Sequence, residues 1–169
     1  MKDHLIAVSV VLALGGCAFS GVDRPPIEKN VAQNVINEFP RSMSKDEAMD
    51  IARSALQSSG FELASFTPEL AEVRTKARQV PIPAACDCGT WNGAVVQGTA
   101  MATYLITVDT PPGDKTLVKA NFTCGTTFTG RNLYGATTKV ETYQCASTGQ
   151  MEQQFWEKFR QIYDVRRRK

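Results

Sequence analysis

The chain has 169 residues, a formal net charge of +2 and 21% charged side chains. That length fits one domain with a sizeable core, and the near-balanced charge excludes the clustered basic face that nucleic-acid binding needs. Its single histidine, His4, falls in a leader, so the mature chain has none, which excludes Ser-His-Asp and Cys-His catalysis in their usual forms and histidine-ligated zinc.

The leader opens with Met1-Lys2-Asp3-His4 and continues from Leu5 to Leu14 without a charge. Ten residues of helix span about 15 Å, half of a bilayer core of roughly 30 Å, which suits a signal-peptide h-region and not a spanning helix. The run stops at Leu14-Gly15-Gly16-Cys17. A branched apolar residue, two small residues and a cysteine resemble the lipobox of bacterial lipoproteins. The resemblance implies a diacylglyceryl group on the Cys17 thiol, cleavage after Gly16, and Cys17 as an acylated N-terminus. Residues 1–16 are then the signal peptide, and 17–30 the lipidated N-terminus and a flexible linker, with Gly21, Pro25 and Pro26 opposing regular structure. The first partner implied is the membrane, met through acyl chains on Cys17. Each buried methylene adds about 0.8 kcal/mol, and stable anchoring takes more than one chain. Enterobacterial lipoproteins retained at the inner membrane carry Asp after the cysteine; Ala18 stands here, which by analogy implies the outer membrane, facing the periplasm.

Residues 31–169 are expected to form one α+β domain. Val31 to Phe39 reads as a first strand ended by Pro40. Ser44 with Glu47 three residues on is a capping box, and Ala48, Ile51, Ala52, Ala55 and Leu56 then share one helical face, with Gly60 as the stop. Phe61 to Phe66 and Leu70 to Val80 read as two strands. In the second, Ala71, Val73, Thr75 and Ala77 should point inward, and Glu72, Arg74, Lys76 and Arg78 outward. Gly93 to Asp109 is a long strand with Val96, Ala100, Ala102, Tyr104, Ile106 and Val108 on one face; after a turn at Pro111 to Asp114, Thr116 to Thr127 returns with Val118, Ala120, Phe122 and Cys124 inward. Gly125 to Tyr143, rich in Gly, Thr and Asn, reads as a loop or an edge strand. Ser147-Thr148-Gly149-Gln150 caps a final helix whose apolar stripe is Met151, Phe155, Phe159 and Ile162, widened by Trp156 and Tyr163. Arg166-Arg167-Arg168-Lys169 ends it; a solvated helix end suited to the dipole is the first reading, and contact with anionic lipid the second.

Once Cys17 is acylated, Cys86, Cys88, Cys124 and Cys145 remain, an even number in an oxidising compartment. A bridge from Cys86 to Cys88 would strain so short a loop. Cys86 with Cys124 and Cys88 with Cys145, or the reverse, are left; either ties "CDCGTWNG" to the last strand and the final helix. A four-thiolate zinc site would need reduced thiols and more often uses C-x-x-C spacing, so no metal ligand and no cofactor is assigned. Asn92-Gly93 is a hairpin-turn signal. Trp91 and Asn92 are therefore candidates for an exposed recognition tip, although Trp91 could equally pack over the disulfides.

The order of elements, with segments such as Ser44 to Ala77, resembles the helix-grip layout of small bacterial envelope lipoproteins, including lipoprotein modules of the barrel-assembly machinery. This implies an antiparallel sheet packed on one long helix plus a C-terminal helix. It also implies a non-enzymatic structural or interaction module of the cell envelope, with an envelope protein partner, no nucleic acid and no catalytic residue. The alternative is a lipoprotein that binds a small lipid or metabolite between helix and sheet.

Overall fold

The structure, a computed structural model, describes residues 35–40, 43–91, 94–112, 115–131 and 137–168. The expected leader and linker, Cys17 among them, and residues 31–34 of the expected first strand lie outside these residues. In chain order the elements are β1 (Val35–Pro40), α1 (Lys45–Ser58), β2 (Leu63–Thr67), β3 (Glu72–Thr75), β4 (Arg78–Ile82), β5 (Cys86–Asp87), β6 (Thr90–Trp91), β7 (Ala94–Val95), β8 (Gly98–Asp109), β9 (Lys115–Arg131), β10 (Thr137–Ser147) and α2 (Gln150–Arg167). The protein is α+β: an antiparallel sheet of eight strands, a small β6–β7 ribbon, two helices and two disulfides.

The first helix begins where its cap predicts. The Glu47 backbone N–H donates to Ser44 Oγ at 3.1 Å, a cap worth about 1 kcal/mol. Ala48, Met49, Ile51, Ala52, Ala55 and Leu56 form its buried face. Gly60 ends it at φ +80°, with its N–H donating to the Gln57 carbonyl, a left-handed position that glycine adopts without a Cβ penalty.

The long hairpin of β8 and β9 is the centre of the sheet, paired from Met101↔Gly125 to Asp109↔Leu117. Its alternation falls as expected. Ala100, Ala102, Tyr104, Ile106 and Val108 are buried, as are Val118, Ala120, Phe122 and Cys124. On one side of β8 lie β3, with β2 beyond it, and β4; on the far edge of β9, β1 and β10 are placed end to end. Both helices cover the inner face, where Phe61, Tyr104, Phe122, Phe155 and Phe159 make a chain of ring contacts 5.0–5.9 Å apart.

One expectation is corrected and two are made specific. Leu70 to Val80 is not one strand. From Arg74↔Leu105 to Arg78↔Ala102 the chain advances four residues while β8 advances three, and this extra residue inverts the in–out parity. Ala77 is therefore exposed, while Val80 and Ile82 are buried. Arg78 is exposed as expected but engaged: its guanidinium lies 5.1 Å from the Phe61 ring and donates to the Ser59 carbonyl. Of the two readings for Gly125–Tyr143, a loop or an edge strand, the structure takes the strand: β9 runs on to Arg131 and β10 returns beside it. Gly125 is needed there, since a Cβ would meet the Tyr143 carbonyl oxygen at 2.9 Å. Last, within the expected Ser147–Gln150 cap the N-cap residue of α2 is Gly149, in the left-handed region, with no side-chain cap bond.

Candidate functional site

Two places in the fold hold polar or covalent chemistry. The first is the segment from Pro83 to Val95. Cys86 bonds to Cys124 and Cys88 to Cys145, which selects one of the two pairings the sequence left open. Cys124 and Cys145 are themselves register partners on β9 and β10, so two residues of one loop are bonded to one rung of the sheet. Cross-links of this kind typically contribute about 2–4 kcal/mol each. Non-covalent contacts reinforce them. β5 pairs with the end of β10 through Asp87↔Ala146 and Cys86↔Ser147. The Thr148 N–H donates to the Ala85 carbonyl at 3.1 Å, and Asp87 Oδ1 accepts from the Gly89 N–H at 2.8 Å.

Beyond this clamp, β6 and β7 pair as Thr90↔Val95 and Trp91↔Ala94, the strand pairing that the Asn92-Gly93 turn signal implies. Asn92 lies outside the described residues, as does the side chain of Trp91. Val95, at 46% exposed, is among the most exposed large apolar side chains.

The second place was missed in the sequence. Glu152 lies in the first turn of α2, on the same face as Phe155, Trp156 and Phe159, and is 1% exposed. Its Oε2 accepts from the Ser147 hydroxyl at 2.8 Å, while Ser147 Oγ accepts from the Gly149 N–H at 3.0 Å. Glu152 Oε1, Tyr104 Oη and Trp156 Nε1 are buried without a hydrogen-bond partner among the described residues. Burial pushes the Glu152 carboxyl above its ordinary range, opposed by the Ser147 and backbone hydrogen bonds. Burial, and secondarily the Glu152 charge, also raises the Tyr104 phenol. Burial inside the aromatic core thus favours the neutral form of this carboxyl. A glutamate in a first helical turn ordinarily reads as a partner of the helix dipole, and only its place in the 3.6-residue stripe could have marked it.

The outer face of the sheet carries a third, milder surface. Thr103 and Thr123 hydroxyls meet at 2.8 Å and Thr127 and Thr142 at 3.3 Å, around shallow depressions of about 340 and 390 Å³. Met101 stands there 48% exposed. Among the described residues no group of three His, Cys, Asp or Glu side chains could hold a metal ion, and no helix is long and apolar enough to cross a membrane.

No protein-family model and no curated protein matches the chain.

Proposed function

We propose that the chain is a bacterial lipoprotein, anchored through acyl chains on Cys17 to a membrane, by analogy the outer membrane facing the periplasm. Its folded part acts as a non-enzymatic interaction module of the cell envelope, of the helix-grip kind, and meets a protein partner through Trp91 and Asn92. The observation that carries this is the β6–β7 ribbon extending from a loop bonded at Cys86 and Cys88 to one rung of the sheet. A segment fixed covalently before binding loses little conformational entropy on binding, which favours recognition. Two bridges also suit an oxidising compartment, the destination that the lipobox resemblance implies. The small-ligand alternative has weaker support, because aromatic rings occupy the space between the helices and the sheet.

The test is the full chain expressed in a two-membrane bacterium fed an alkyne-bearing palmitate. The label should attach to the wild-type chain and vanish in Cys17→Ser; a wild-type chain without label removes the anchor. In the same cells, cross-linking should recover an envelope protein, and Trp91→Ala should lower that recovery severalfold. An unchanged cross-linking pattern in Trp91→Ala would remove the recognition tip while leaving the anchor intact.

A further inference from the structure

The flank of α2 that turns toward the end of α1 is cationic and apolar at once. Ser58, Lys158, Gln161, Ile162, Val165 and Arg166 line a shallow groove of about 470 Å³. At 3.6 residues per turn, Gln161, Val165, Lys158, Ile162 and Arg166 share this flank, and Glu157 and Asp164 border it beyond Gln161. Glu157 accepts from Gln153 Nε2 there at 2.9 Å. The facing last turn of α1 brings no carboxylate, and Asp50, a turn earlier, pairs with Arg53 at 2.9 Å. Val165 is 54% exposed, between the two cations. Charge complementing the helix dipole accounts for arginines in the last turn. It does not account for Lys158 in the middle of the helix, nor for an exposed valine beside a half-buried isoleucine.

We infer that this flank of α2 is a contact surface for an anionic phospholipid bilayer. Lys158 and Arg166 meet phosphodiester groups, with their stems lying along the apolar floor. Val165 and Ile162 reach the boundary between headgroups and acyl chains, the placement of an interfacial amphipathic helix. Arg168, exposed just beyond the last turn, adds to the same attraction. The inference rests on the lipoprotein reading only for bringing this surface to a membrane; its test removes the acyl chains and so stands apart from that reading.

The full chain with Cys17→Ser is sedimented with vesicles of phosphatidylglycerol and phosphatidylcholine in equal parts, and with phosphatidylcholine alone. Apolar binding by the leader is common to both, so the difference reports the charged surface. Binding should favour the anionic vesicles and fall with added salt. Arg166→Glu and Lys158→Glu should each lower that preference about fivefold, and Val165→Asp should lower it as well. Lys119→Glu, on the outer face of the sheet, changes the net charge equally and should leave the preference unchanged. Equal binding to both vesicle types would overturn the proposal. So would equal losses from Lys119→Glu and Arg166→Glu, or an unaltered preference in Val165→Asp.

Discussion

Among the described residues Glu152 is the one buried carboxyl: it is 1% exposed, with one oxygen on Ser147 and the other without a partner among those residues. Burial raises its proton affinity in the folded chain above that in the unfolded chain. The sign follows by linkage. The folded state binds the proton more tightly, so the contribution to stability is fully present below the unfolded glutamate value. It is lost as pH rises through the raised folded value. Glu152→Gln keeps a partner for Ser147 and cannot ionise. It should be the more stable protein at neutral pH, and the loss of stability on going from mildly acidic to neutral pH should diminish. Urea unfolding across that range checks this; a variant less stable at neutral pH with an unchanged pH slope would show that the carboxylate is held charged. The residue also marks a limit of reading by pattern. Its neighbours Phe155, Trp156 and Phe159 declare a buried stripe by their own chemistry, and a glutamate among them declares nothing until the packing places it.

At the scale of elements, the bulge between β3 and β4 sets the register of β4 against β8. Thr75 Oγ1, buried, accepts from the Tyr104 N–H at 2.8 Å, so a side chain satisfies that buried backbone donor at the bulge. Thr75→Val preserves the shape and removes the acceptor. It should cost about 1–3 kcal/mol, the penalty of leaving a buried N–H unpaired, whereas Thr75→Ser should recover most of the loss; thermal unfolding of the two variants distinguishes them. The alternation of β8 and of the first half of β9 was legible, because apolar and polar side chains alternate there without interruption. The bulge was not, because Lys76 and Ala77 carry no turn chemistry and both parities offer plausible inward residues. The second half of β9 was not legible either. Its inward positions alternate a polar Thr126 with Phe128, which packs against the core and the Tyr143 ring, so pairing with β10 and not a run of aliphatic residues marks it as a strand. The loop clamp was half legible: four cysteines gave the number of bridges and two candidate pairings, and the choice between them came only from the folded chain, which bonds Cys86 to Cys124 and Cys88 to Cys145. Position in sequence drew attention to Trp91 and Asn92, while the cationic flank of α2 emerges only when the helix is laid against α1.

For the whole molecule, the pairing of β9 divides the protein into regions of different persistence. Lys115 to Ala120 pair with β1, Leu117 to Gly125 with β8, and Cys124 to Arg131 with β10. The strand is thus bounded on both edges from Leu117 to Ala120 and again at Cys124 and Gly125. From Thr126 onward its ladder partner among the described residues is β10 alone. Amide hydrogens in the doubly bounded stretches can meet solvent deuterium only when the sheet itself comes apart, so their exchange should report the global unfolding equilibrium. Those between Thr126 and Arg131 need only the two-stranded arm to open, and a two-stranded ribbon has little stability of its own. Exchange followed by mass spectrometry should show the arm labelled orders of magnitude before Val118 to Ala120, with the step in rate at Gly125. A single rate along the strand would mean that arm and sheet open as one. With a step, β9 is a continuous strand that belongs to two cooperative units, and the protein can expose its β9–β10 arm to its surroundings without loosening its core.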